Sequence, residues 1–209
     1  IRYLLRTPRN GINRGTVAKI MAHYYKKKVK EVKKHLNFNH IEVVCSAYER
    51  GIEPPCNLTH GKFVAPMLAK EVPMNKWPTD FVVDYKYDGN RYQIHIQDTN
   101  VMIFNRKGKL VTTQFPDIVL LCAKYDVKNA ILDGEIYPIR EDGTPAPHKL
   151  MATRVHSKNH LEAAERVKVE WVIFDCLMLN NETIMDLPYS ERLEKMKDLP
   201  NQAHRITEG

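Results

Sequence analysis

The 209-residue chain is 43% hydrophobic and 27% charged, a balance that argues against intrinsic disorder or a fibrous repeat. Its apolar runs, such as Ile118 to Ala123, fall far short of the roughly 18 residues a membrane-spanning helix needs. The net charge of +7 is unevenly placed: residues 1–62 hold 13 Lys and Arg against 4 Asp and Glu, leaving 19 against 21 in the remainder, and such asymmetry predicts a polyanionic partner for the basic part.

The chain opens on Ile1, and Ile-Arg-Tyr-Leu-Leu-Arg has neither the apolar core nor the cleavage site of a secretory signal. It therefore reads as a piece of a longer, intracellular protein. Cys45, Cys56, Cys122 and Cys176 lack a C-x-x-C pair or regular spacing, so neither a disulfide framework nor a zinc site is expected. His156 and His160 lie four apart, but Ser157 stands where a zinc-protease helix carries glutamate, and no metal is assigned to them.

Val17, Ile20, Met21, Tyr24, Tyr25, Val29, Val32 and Leu36 recur at three- and four-residue steps, predicting one amphipathic helix with Thr16 as its cap. Its other face carries Lys26, Lys27, Lys28, Lys30, Lys33 and Lys34. With Arg14, the first four of these are the candidate phosphate contacts, giving salt-sensitive and sequence-blind binding. A second helix is expected over His40 to Glu49, ended by Gly51, and the Pro54-Pro55 pair cannot continue it. A helical unit over 1–62 and a sheet-rich unit over 63–209 follow.

In the second unit Phe81, Val83, Tyr85 and Tyr87 alternate with Val82, Asp84, Lys86 and Asp88, the pattern of a strand ending in a Gly89-Asn90 turn. Tyr92, Ile94 and Ile96 alternate with Gln93, His95 and Gln97 in the next strand, which turns back through Asp98-Thr99-Asn100. Val101 to Phe104 and Leu110 to Thr112 read as a further pair around Arg106-Lys107-Gly108. The sheet is expected to be antiparallel and the fold class α+β.

Lys86-Tyr87-Asp88-Gly89-Asn90-Arg91 resembles the K-x-D-G-x-R signature of covalent nucleotidyltransferases, which include DNA ligases, some RNA ligases and capping enzymes. Further segments follow in order. Phe104-Asn105-Arg106-Lys107-Gly108 is similar to F-S-R-x-G, Leu132-Asp133-Gly134-Glu135 to the D-G-E strand, and Phe174-Asp175-Cys176-Leu177 to F-D-x-L. Pro66-Met67-Leu68-Ala69 and Leu150-Met151-Ala152-Thr153-Arg154 narrow the resemblance to ATP-dependent DNA ligases of archaeal and eukaryotic type. Tyr3-Leu4-Leu5-Arg6 and Gly11 to Ala22 resemble the last helices of the DNA-binding domain in those ligases.

That resemblance implies an ATP-grasp-like adenylation domain preceded by the end of a helical DNA-binding domain. It also implies ATP and magnesium as cofactors, nicked duplex DNA as partner, and a monomer. Lys86 would be the nucleophile that takes up AMP; Asp84 and Tyr85 would line the base pocket. Arg91 and Arg106 would contact the nucleotide, Glu135 the ribose or metal, and Phe174 would stack on adenine. Asp84 stands where the family usually has Glu, and Asn105 where it has Ser. The sequence ends at Gly209, ahead of the family's E-G-x-x-x-K segment, late lysines and OB-fold domain, so an incomplete domain is expected. An RNA ligase or capping guanylyltransferase, and a catalytically silent DNA-binding fragment, are the alternatives.

Only a neutral lysine attacks phosphorus, and at the reference pKa near 10.4 only about one molecule in two to three thousand is neutral at pH 7. Partial burial of Lys86, with the field of Arg91, Arg106 and magnesium, is expected to raise that fraction.

Overall fold

The computed structural model describes residues 14–68, 71–77, 81, 83–203 and 205–206. Tyr3 to Arg6, Gly11, Ala69, Val82 and the side chain of Arg14 lie outside the described residues. The chain divides into two compact units between Leu58 and Thr59.

The first unit contains α1 (Arg14–Tyr24), α2 (Val29–Phe38) and α3 (Ile41–Glu49). The single helix expected over 17–36 is thus two, and Thr16 lies inside α1 rather than ahead of it. The break is a Schellman turn around Lys26, whose φ of 53° is left-handed: Lys27 N–H donates to Ala22 O at 2.9 Å and Lys26 N–H to His23 O at 3.4 Å. A lysine at a position that favours glycine hid the stop. At the end of α3 the same turn is built on Gly51, with φ of 71° and Ile52 N–H on Ala47 O at 3.0 Å, and there the glycine marked it. The break brings Tyr25 to 5.2 Å from Tyr48 and Lys27 onto Glu31 and Glu53. Ala18, Met21, Ala22, Val32, Leu36, Val44 and Tyr48 form the core. Ile20 and Tyr24, expected on the apolar stripe, are 58% and 75% exposed, because two short helices do not share one stripe.

The second unit is built on a five-stranded antiparallel sheet. Its strands are β2 (Asn90–Gln97), β3 (Asn100–Asn105), β4 (Asn129–Pro138), β5 (Val169–Leu179) and β6 (Glu182–Thr183), in the order β3-β2-β4-β5-β6. A separate two-stranded sheet pairs β1 (Val83–Asp84) with β7 (Arg205–Ile206). The helices α4 (Pro116–Cys122), α5 (Leu150–His156), α6 (His160–Arg166) and α7 (Tyr189–Met196) complete the unit. Among the described residues no helix is long and apolar enough to cross a membrane.

One face of the large sheet is the hydrophobic core. Tyr92, Ile94, Ile96, Leu132, Ile136, Trp171 and Ile173 pack there with Phe115 and Ile118, Met151 of α5 and Met196 of α7. Gly134 is required by that packing, since a Cβ there would lie 2.4 Å from the Trp171 ring and 2.1 Å from Val172 O. Buried Arg154 ties α5 in place, donating to Gln114 O at 3.2 Å and Val167 O at 3.1 Å and pairing with Asp117.

The opposite face carries Arg91, Gln93 and His95 of β2 with Asp133 and Glu135 of β4, by strand alternation. Alternation alone predicts a solvated face, yet Gln93 and His95 are 2% and 0% exposed, because residues 61–67 cross over them. The Gln93 amide imitates a strand neighbour, accepting from Val64 N–H at 2.9 Å and donating to Val64 O at 3.1 Å. Gly61 N–H donates to His95 Nδ1 at 3.2 Å, and Arg91 Nη1 donates to Met67 O at 3.1 Å.

Two expected strands are shorter than the alternation suggested. Leu110 forms a single bridge to Phe104, and residues 112–114 are a 3-10 turn; Thr112 Oγ1 takes the Ile103 N–H at 3.0 Å that a ladder carbonyl would have taken. Of the described residues between 81 and 88, only Val83 and Asp84 are strand, and they pair with residues 205–206 rather than with β2. Phe81, Val83 and Tyr85 are exposed, so their alternation does not mark a buried face.

Candidate active site

Lys86 follows β1 in an irregular stretch, and Gly89 is what brings that stretch against the large sheet. A Cβ on Gly89 would lie 2.3 Å from Ile136 O and 2.8 Å from the Tyr137 Cβ, so the close approach of backbone to β4 excludes any side chain. Next to it, Tyr87 stacks on Tyr137 at 5.0 Å between ring centroids. Tyr87 and Phe174 both pack against the small cluster of Tyr137, Val172 and Ala203, which sets Lys86 and Phe174 on neighbouring parts of one surface.

The register of the sheet supplies the rest. Arg91 lies opposite Glu135, Glu135 opposite Val172, and Tyr92 opposite Asn105, so Arg106 follows directly at the next position beyond β3. The Glu135 carboxyl is pushed up to about 7 by burial, against the pull of the positive charges on Lys86, Arg91 and Arg106. Three cations from three segments thus act on one half-hidden carboxyl. Phe174 is the extra residue of a bulge in β5, where Asp133 faces Asp175 and Gly134 faces Ile173. A bulge re-aims the side chain it carries, and the Arg91 guanidinium lies 5.1 Å from the Phe174 ring.

Arg91 is held there by Asp133, with Nε on Oδ1 at 2.8 Å and Nη2 on Oδ2 at 2.5 Å. Burial alone would lower the Arg91 pKa, but the hydrogen bonds and charge of Asp133 more than offset it and hold the guanidinium charged. Asp133 is 4% exposed, so Asp133→Ala should leave Arg91 without its fork and destabilise the second unit by about 3 kcal/mol. Chemical unfolding followed by fluorescence measures this, and a loss under about 1 kcal/mol would show the pair to be screened like a surface bridge.

A family model for the ATP dependent DNA ligase domain matches residues 66–207. This chain belongs to the ATP-dependent DNA ligase family. A DNA ligase of Natronomonas pharaonis is 35% identical over 147 residues, covering 68% of this chain and 27% of that protein. A DNA ligase of Thermococcus fumicolans is 27% identical over 216 residues, covering 98% of this chain and 39% of its own length. The chain therefore spans about a quarter to two fifths of the curated ligases it matches. Among solved structures, the ligase domain of M. tuberculosis LigD is similar at a TM-score of 0.48 and 20% identity, over 60% of this chain and 40% of that one.

The motif residues divide into those that gather around Glu135 and those that hold the surrounding segments in place. Lys86, Arg91, Arg106, Glu135 and Phe174 come together as the sequence suggested. Asp84 is half-buried and accepts from the Tyr189 hydroxyl at 3.2 Å, while Tyr85 is 60% exposed. Asn105 is a loop organiser: its Oδ1 accepts from Lys107 N–H at 3.0 Å and Lys109 N–H at 3.1 Å, fixing the turn that presents Arg106. Asp175 of F-D-x-L binds Arg192 of α7 through both oxygens, at 2.7 and 2.9 Å. Sequence reasoning missed the supports of Asp84 and Asp175 because their partners lie on α7.

Lys86 departs from expectation in being exposed; its neighbour Tyr87 turns inward onto Tyr137 instead. The helical unit departs too. Lys26, Lys27 and Lys28 sit at the break between α1 and α2, so only Lys30, Lys33 and Lys34, all exposed, share a helix face. Lys27 is engaged with Glu31 and Glu53, and Lys26 and Lys28 are exposed.

Proposed function

We propose that this chain is the AMP-accepting part of an enzyme that seals nicks in duplex DNA. The observation that carries the reading is the convergence of Lys86, Arg91 and Arg106 on Glu135, with Phe174 beneath Arg91. That is a cationic surface with an aromatic plate at its edge, suited to a purine triphosphate.

In this reading the Lys86 amine attacks the α-phosphorus of ATP. A nitrogen–phosphorus bond forms, the bond from that phosphorus to the bridging oxygen breaks, and pyrophosphate leaves with the electron pair while the amine proton passes to solvent. Lys86 is exposed in the protein itself, so the bound nucleotide, not a protein pocket, supplies the desolvation that nucleophilic attack needs. Arg91, pinned by Asp133, presents its remaining N–H groups from a fixed plane, and Arg106 extends from the turn that Asn105 organises.

Magnesium fits the same surface through Glu135. Magnesium is commonly held by one or two carboxylates together with substrate phosphates, and a carboxyl raised to about 7 ionises readily as a cation approaches. When bound, the ion would neutralise charge on the triphosphate and the leaving pyrophosphate. Among the described residues, the group of three potential ligands that could hold an ion is Glu31, His35 and Glu53 in the helical unit, where Lys27 already faces both glutamates.

Nicked duplex DNA as the partner rests on the family and on the exposed Lys30, Lys33 and Lys34. The test is incubation with ATP and magnesium followed by peptide mapping. One AMP adduct on the peptide carrying Lys86 is expected; an adduct elsewhere, or transfer from GTP in preference to ATP, would redirect the assignment.

A further inference from the structure

Tyr189, the first residue of α7, belongs to none of the motifs above, yet its hydroxyl touches both sides of the proposed nucleotide surface. It lies 3.0 Å from Phe174 O and 3.2 Å from Asp84 Oδ2. A phenol has a single proton to donate, so the two acceptors share it, and both are held to one point. The ring is in turn fixed. The Arg192 guanidinium lies 5.3 Å from its centroid, and Arg192 donates to Leu187 O at 2.6 Å as well as gripping Asp175. Asp175 follows Phe174 in the chain, so the contacts form a closed circuit from Phe174 through Asp175, Arg192 and Tyr189 back to Phe174.

What that circuit holds is the segment that carries Asp84. β1, which contains Asp84 and leads to Lys86, is not a strand of the large sheet; it pairs with β7. The chain reaches β7 from residues 201–203, which dock on β5 through Ile173 N–H to Asn201 O at 2.7 Å and Ala203 N–H to Ile173 O at 2.8 Å. Besides that backbone route, Tyr189 is a direct side-chain tie between Asp84 and the strand of Phe174.

We propose that Tyr189 is a positioning residue that sets the spacing between the Asp84–Lys86 segment and Phe174, and so governs affinity for the purine end of the nucleotide. The inference rests on the reading of Lys86 and Phe174 as the AMP-accepting surface. Tyr189→Phe keeps the ring and its packing and removes the hydroxyl with the proton it shares.

The experiment compares wild type and Tyr189→Phe in ATP binding by calorimetry, in the KM and saturating rate of AMP uptake, and in binding of tripolyphosphate, which has no purine. The variant should bind ATP roughly tenfold more weakly, the scale of one hydrogen bond to a charged acceptor. Its KM should rise in step, its saturating rate should stay within about threefold, and its tripolyphosphate affinity should not change. Unchanged ATP affinity overturns the proposal, and so does equal weakening of both ligands, the mark of a loosened fold. A wild-type chain that binds ATP but is not labelled at Lys86 sinks the transfer reading while the binding comparison still decides the role of Tyr189. Absence of any ATP binding sinks both.

Discussion

Lys86→Ala should take up no AMP, with labelling reduced at least about a thousandfold, while the second unit melts within a degree or two of wild type. The two halves of this expectation have separate physical grounds. In the proposed reaction, removing the amine removes the atom that forms the bond, and arginine cannot replace it, because a guanidinium carries no free electron pair at neutral pH. Stability is spared because Lys86 is exposed, and exposed substitutions usually stay within about 0.5 kcal/mol. Lys86→Arg should be as inactive as Lys86→Ala despite keeping the charge, which separates nucleophile from counter-ion. Label retained on either variant would mean that another residue accepts the nucleotide.

The sheet and the candidate site were legible to different depths, and the difference follows the range of the interactions. β2 and its turn into β3 depend on alternation and a local turn, both visible in residues 90–105. The candidate ligand-facing residues were also legible, because their order along the chain resembles the family's motifs: a lysine, two arginines, a glutamate and an aromatic ring. What holds them was not. The pairing of Asp133 with Arg91 spans two strands, that of Asp175 with Arg192 joins β5 to α7, and β1 finds its partner at residues 205–206. No local pattern announces such contacts. Lys26 is the opposite case, a purely local feature that was unreadable because the residue in the left-handed position is one that seldom occupies it. The burial of Gln93 and His95 was hidden by their polarity, which they satisfy on the backbone of residues 61–64.

Acid should destabilise the second unit through His95, and the effect should be masked until about pH 4.5. His95 is fully buried, donates from Nε2 to Gln93 Oε1 at 3.0 Å and accepts from Gly61 N–H, with Phe104 5.0 Å and His60 6.0 Å away. Burial, assisted by the charge His60 would carry, lowers its pKa to about 3 from the ordinary 6.5. A histidine lowered in the folded state is protonated first in the unfolded chain, so stability is complete above pH 6.5 and is lost as pH falls toward 3. The full loss is roughly 5 kcal/mol, from about 1.4 kcal/mol per unit. Glu135 has the opposite sign. Its carboxyl is raised from 4.5 to about 7, so the stability it contributes is present below pH 4.5 and lost as pH rises through 7. Between pH 6.5 and 4.5 the two therefore offset each other, and below 4.5 His95 acts without that opposition. Both tryptophans, Trp77 and Trp171, lie in the second unit, so urea unfolding followed by their fluorescence isolates it. Wild type should show a shallow profile from pH 7 to 4.5 and then fall. Glu135→Gln should begin to lose stability near pH 6.5, and His95→Gln should instead gain it on mild acidification. Parallel profiles for wild type and His95→Gln would mean that the imidazole is hydrated in the folded protein and that the covering by residues 61–64 opens in solution.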